Sequence, residues 1–251
     1  MKGSCTVKKP TWLMLVLFSA ASAYLRFVEL RDGFDAQGLP AGGAISYALP
    51  LLLVIATAAF VLSARSYPAQ RELCGEMEEY FDFSGTLGVM LCVLGAFALF
   101  AAAAVSLLFS LRTTLTILLA VFLLAAGASV LYVLFSLRRG NALSGVVVLT
   151  PVYALVLYLI FVYRTCAVDP VLGHFYVDIL ALAALTMTFL EFSAFVFRNG
   201  APRIFVPLAA MSVVLCICAA VKLQDPAVLL LYLGFVLILL GYCTAARFRV
   251  Q

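Results

Sequence analysis

Residues 84–137 read SGTLGVMLCVLGAFALFAAAAVSLLFSLRTTLTILLAVFLLAAGASVLYVLFSL, and the only charge in that stretch is Arg112. A bilayer hydrocarbon core about 30 Å thick is crossed by roughly 20 apolar residues in a helix, so this stretch is too long for one span. Arg112, Thr113 and Thr114 supply the polar break at which a helical hairpin turns at the membrane surface. Two antiparallel helices follow, and no soluble fold is compatible with them. In lipid the backbone can satisfy its own polar groups only within helices or closed barrels, and continuous apolar runs of this length exclude the alternating pattern of a barrel strand.

Working outward from that hairpin, the same reading divides the whole chain. Of 251 residues, 66% are apolar and 11% charged, and the charges lie between apolar runs. Eight spans are expected, at about 11–30, 44–63, 85–108, 114–137, 143–163, 173–197, 203–222 and 227–246. Turn residues mark several connections: Gly33, Gly38, Pro40, Gly42 and Gly43 in the first, Gly140 and Asn141 later, then Asn199, Gly200 and Pro202. The expected fold is an all-α polytopic bundle, a single transmembrane domain over 1–251 with no soluble domain.

Orientation follows from Lys and Arg. With the N-terminus inside, Lys2, Lys8, Lys9, Arg65, Arg71, Arg138, Arg139, Arg198, Arg203, Arg247 and Arg249 fall on the cytoplasmic side, and Arg26, Arg31, Arg112, Arg164 and Lys222 on the other. That division of eleven to five is what the positive-inside rule expects, so both termini are placed in the cytoplasm and the chain in the cell membrane. A competing reading takes Ala21-Ser22-Ala23 as a signal-peptidase site after Lys8 and Lys9. The apolar run continues through Tyr24, Leu25, Phe27 and Val28, which favours a full span.

Composition excludes several classes of function. A net charge of +4, dispersed among helix ends, gives no basic stripe for nucleic acid. The seven cysteines include no CxxC pair, and Cys216 and Cys218 are separated by about 200° around a helix, so neither a metal site nor a cofactor is expected. Phosphate-loop, metalloprotease and serine-hydrolase motifs are absent from the sequence, and no catalytic residue is assigned.

The sixth expected span carries two acidic groups within an apolar stretch, Asp178 and Glu191, and His174 lies one turn before Asp178. An ionisable group inside a membrane helix costs about 2.5–3.5 kcal/mol at the centre, so it faces the bundle interior and marks a candidate site. His174 and Asp178 share a face. Glu191 lies near the opposite side, one turn from Thr188, which divides the four into an outer His174/Asp178 pair and an inner Thr188/Glu191 site for a solute or a proton. The alternative partners are Arg164 or Lys222 for the outer carboxylate and Arg138 or Arg198 for Glu191. An outer gate is expected from Arg26 and Glu29, three apart on the first span, with Asp32 and Asp35 in the Gly-rich loop after it.

The cytoplasmic connection 64–83 is acidic, with Glu72, Glu76, Glu78, Glu79 and Asp82, and Leu73, Met77, Tyr80 and Phe81 recur at helical spacing. An acidic amphipathic helix binds anionic lipid poorly and suits a basic protein partner, through Glu72, Glu76, Glu79, Met77 and Tyr80, or the basic ends of this chain's own helices. Gly88, Gly95, Gly234 and Gly241 are expected to allow close helix approach, and Pro50, Pro151 and Pro207 to kink the spans that hold them. The function expected is a transporter-like or small-solute or proton-binding membrane component. The alternative is a non-transporting interaction or sensory subunit that docks a cytoplasmic partner through 64–83.

Overall fold

The computed structural model describes residues 4–33, 44–67, 77, 80–109, 114–140, 143–166, 175–222 and 225–249. Eight long helices run α1 (Lys9–Asp32), α2 (Ala44–Ala64), α3 (Thr86–Phe109), α4 (Thr114–Arg139), α5 (Gly145–Cys166), α6 (Tyr176–Val196), α7 (Pro202–Ala220) and α8 (Pro226–Ala245). All eight are long and apolar enough to cross a membrane. The chain is therefore a multi-pass membrane protein. Large apolar side chains such as Leu13, Phe27, Leu51, Phe97, Tyr153 and Met187 point outward, as a lipid-facing surface requires.

Helices α3 to α8 pack in sequence order, and α8 closes back onto α3, giving a ring of six; α1 lies against α7, and α2 against both. Side chains of α6 and α8 meet inside the ring, where Phe189 packs edge-on to Phe235 and Phe192 stacks on Tyr242 at 4.1 Å. The α3–α8 contact is set by glycine. Gly88 faces Gly241 and Gly95 faces Gly234, so two seven-residue spacings run in opposite directions and match. A Cβ on Gly95 would lie 2.7 Å from the Gly234 carbonyl oxygen, closer than helices carrying side chains there approach.

The two chain ends meet on one face of the bundle, here the terminal face. Strand β1 (Ser4–Thr6) pairs antiparallel with β2 (Arg247–Arg249), with Cys5 opposite Phe248. Residues 80–82 extend this small layer: Arg247 donates its amide to the Tyr80 carbonyl at 2.7 Å, the Asp82 amide donates to Ala245, and Phe81 pairs with Ala246. The expected amphipathic helix does not continue here. The amides of Tyr80 and Phe81 both donate to the Met77 carbonyl, a single turn, after which the backbone extends because pairing with Ala246 satisfies its polar groups.

The α6–α7 turn shows why its sequence reverses so tightly. Arg198 sits at φ 57°, and the Asn199 amide donates to Ala194 while Arg198 donates to Phe195, the paired bonds of a Schellman helix ending. Pro202 then opens α7 at a position where no amide hydrogen is needed. Pro50, Pro151 and Pro207 lie inside α2, α5 and α7 as expected. The Thr150 hydroxyl donates to the Val146 carbonyl, beside the acceptor that Pro151 leaves without its helical donor.

Candidate functional site

The face opposite the chain ends, here the distal face, gathers most of the buried ionisable groups. Arg26 and Glu29 are three apart on α1 and form a buried ion pair at 2.7 Å, 1% and 4% exposed. The Tyr176 hydroxyl of α6 donates to both Glu29 oxygens, at 3.1 and 3.3 Å, and the Tyr176 ring lies 5.3 Å from the Arg26 guanidinium. A charge pair taken out of water is retained only when its remaining polar positions are satisfied, and Tyr176 contributes to that here. Asp32 stands apart: it is exposed and pairs loosely with Arg31 at 3.7 Å. Asp35 and His174 lie outside the described residues.

Asp178, in the first turn of α6, is 9% exposed. It accepts a hydrogen bond from the Tyr232 hydroxyl of α8 at 3.1 Å and faces the Lys222 ammonium at 3.9 Å. The same ammonium lies 3.6 Å from the centroid of the Phe175 ring. Consecutive aromatics therefore each receive a cation, Phe175 from Lys222 and Tyr176 from Arg26, which joins α1, α6, α7 and α8 at their distal ends. At 3.9 Å the Asp178–Lys222 contact is at the loose limit of an ion pair. A group entering between them need not break a short contact.

Beside this network, where the distal ends of α3, α4, α5 and α8 meet, lies a cavity of about 260 Å³. Its apolar wall includes Leu119, Leu123, Phe161 and Leu231, and its polar groups are Ser106, Thr116, Tyr158 and Asp225. Asp225 caps α8, one carboxylate oxygen accepting from the Ala227 amide at 2.8 Å. Tyr158 lines the cavity from α5, and Leu231, the neighbour of Tyr232, lines it from α8.

The inner pair expected on α6 divides. Thr188 is fully buried and shares a 2.7 Å hydrogen bond with Ser212 of α7, while also donating to the Ala184 carbonyl. Glu191 accepts from the Ala201 amide at 2.9 Å, satisfying backbone at the start of α7. Both act between α6 and α7, and they do not meet each other.

In the 64–83 connection, Glu72, Glu76 and Glu79 lie outside the described residues. Met77 is 5% exposed, and Tyr80 packs against Phe195, so these two side chains cover the chain's own bundle. Phe81, 2% exposed, enters a cage of Phe192, Phe195, Phe205 and Tyr242 that fills the terminal end of the ring. Asp82 and Arg247 close this clamp at 2.7 Å. The Ser84 amide that donates to Asp82 holds its carboxyl below the ordinary carboxylate range, with Arg247 beside it acting in the same direction and partial burial opposing both.

Tyr176, Tyr232, Tyr158 and Asp225 are the residues that sequence reasoning did not assign to the site. Tyrosine is common near the ends of membrane helices, so its type alone does not mark a site. Proximity of Asp225-Pro226 to Lys222 was the one available signal. Among the described residues no three His, Cys, Asp or Glu side chains group to hold a metal ion. No protein-family model, curated protein or solved structure matches the chain.

Proposed function

We propose that the chain is a transporter-like, solute-binding membrane component whose site lies at the distal end, formed by the α3/α4/α5/α8 cavity and the Asp178–Tyr232–Lys222 network beside it. One observation carries the reading: a buried carboxylate in a membrane helix, loosely paired, next to a mostly apolar cavity that carries a few polar groups. In this reading Asp178 takes the solute's cationic group or a proton in competition with Lys222. Tyr232 and Tyr158 hold the carboxylate and the cavity in register. Glu191 has no part in the chemistry, because its carboxylate is engaged with the α7 backbone.

The terminal end supports the same reading from the other side, since the Phe81 cage fills it while the distal end retains space. Space at one end and packing at the other is the arrangement that one half-cycle of alternating access calls for. The basic residues Lys8, Lys9, Arg65, Arg138, Arg139, Arg198, Arg203 and Arg247 lie toward the terminal face, so the positive-inside rule assigns that face to the cytoplasm. Native mass spectrometry of protein extracted gently from its own membrane tests the proposal. A small retained mass, lost in Asp178→Asn, is expected; identical retained masses in both proteins would refute it.

A further inference from the structure

Aromatic rings between α6 and α8 form a column that runs from the terminal face toward Asp178. Phe81 meets Phe192 at 5.1 Å and Tyr242 at 6.4 Å, and Phe189 lies 6.3 Å from Tyr242 and 5.3 Å from Phe235. One turn before Phe235 on α8 stands Tyr232, the donor to Asp178. The rings of the column differ in origin. Phe189, Phe192, Phe235 and Tyr242 belong to helices, whereas Phe81 enters from the connection before α3, with Phe83 two residues on and 6.1 Å from Tyr242. A ring carried on a short strap can leave the bundle while every helix keeps its place, because a few connecting residues absorb the backbone change.

The strap is held at the edge of the small terminal layer. Arg247 donates its amide to Tyr80 at 2.7 Å, the Asp82 amide donates to Ala245 at 2.8 Å, and the Asp82–Arg247 ion pair closes at 2.7 Å with its side chains 30% and 53% exposed. Residues 245–247 lead into β2, which β1 fixes along its other edge, so the strap is the side of this contact that is free to move. A few hydrogen bonds and one partly exposed ion pair mark a segment that opens locally before the core does.

We infer that residues 80–83 are the gate at the terminal end: Phe81 is a stopper that withdraws from its aromatic cage to open the α6–α8 column toward Asp178, and the Asp82–Arg247 pair is the latch that holds it shut. The inference rests on the proposed solute-binding function and names the device that closes one end of its path. The structure is the closed form, with Phe81 2% exposed. The open form is a minor state, and a thiol placed inside the column reports it.

Leu239 suits the reporter, being 0% exposed on α8 and spaced four residues from Phe235 and three from Tyr242, on the same helix face. Leu239→Cys is made in the full chain with the native cysteines replaced, held in nanodiscs, and its reaction with a water-soluble cationic methanethiosulfonate is followed by mass spectrometry of the α8 peptide. Positions 80 and 247 stand opposite each other across the strand pairing, the placement a cross-strand disulfide needs, so Tyr80→Cys with Arg247→Cys tethers the strap reversibly and leaves Phe81 in place. Labelling at position 239 is expected to stop in the oxidised tether and to return on reduction. Phe81→Ala is expected to speed it at least tenfold; should that variant fail to fold, the tether decides alone. Equal labelling of the oxidised and reduced forms, or an unchanged rate in folded Phe81→Ala, would overturn the inference. No solute enters this test, so the underlying reading fails separately. A tether that stops labelling while Asp178→Asn retains every native small mass keeps the moving strap and removes the solute site. A native mass lost in Asp178→Asn with labelling indifferent to the tether does the reverse.

Discussion

Replacing Gly95 by Ala tests the close contact between α3 and α8. The added Cβ would lie 2.6 Å from Ile238 Cγ1, 2.7 Å from the Gly234 carbonyl oxygen and 3.0 Å from the Ile238 amide nitrogen. Two of those three atoms are backbone, so α8 itself must move. Overpacking of this kind costs about 1–3 kcal/mol, and the better helix propensity of Ala returns about 1 kcal/mol, leaving a net loss of up to roughly 2 kcal/mol. Gly241→Ala meets Cys92 Sγ at 2.5 Å and the Gly88 oxygen at 2.9 Å, and a similar loss is expected. Gly88→Ala meets first a side-chain atom, the Thr244 hydroxyl at 3.0 Å, so crowding and propensity there cancel to within about 0.5 kcal/mol. Gly85, with nothing within 4 Å, is the control. Equilibrium unfolding in mixed SDS micelles, followed by circular dichroism, ranks the four variants. Wild-type midpoints for both Gly95→Ala and Gly241→Ala would refute the α3–α8 packing.

Three further outcomes follow from the terminal half. Ser212→Ala leaves the buried Thr188 hydroxyl without its 2.7 Å partner and should cost about 1 kcal/mol, whereas adding Thr188→Val should recover part of that, as a double-mutant cycle in the same unfolding assay would show. Glu191→Ala should cost about 1 kcal/mol by freeing the Ala201 amide, and Glu191→Gln much less, because an amide oxygen still accepts; equal losses would contradict the capping role. For Asp82, the folded carboxyl titrates below its unfolded value, so its contribution is fully present above the ordinary carboxylate range and is lost as pH falls through the lowered folded value. With both partners partly exposed, that contribution is at most about 1 kcal/mol. Proteolysis of the 77–83 clamp should rise below about pH 4 in wild type and lose that dependence in Asp82→Asn.

Most of the fold is legible in the sequence because hydropathy and length are local properties. α3 ends at Phe109 and α4 begins at Thr114, on either side of the expected break, and the helices begin and end within a few residues of the expected spans. The glycine contacts are legible for the same reason, since Gly88, Gly95, Gly234 and Gly241 are spaced to share one face of each helix. The site is less so. The Arg26–Glu29 pair follows from three-residue spacing, and Lys222 stood among the candidate partners of Asp178, but Tyr176 and Tyr232 join them only once helix neighbours and rotations are fixed. A helical spacing also connects Met77, Tyr80 and Phe81, which do face the bundle, yet Phe81 gets there from an extended backbone. Three-residue strands such as β1 and β2 carry too little periodicity to be read before their partners are known.

Side-resolved labelling tests the proposed site most directly. In a background with the native cysteines replaced, Val228→Cys places a thiol on the cavity wall. A membrane-impermeant maleimide added outside intact cells is expected to label it. Labelling only after the membrane is permeabilised would contradict an externally open solute site.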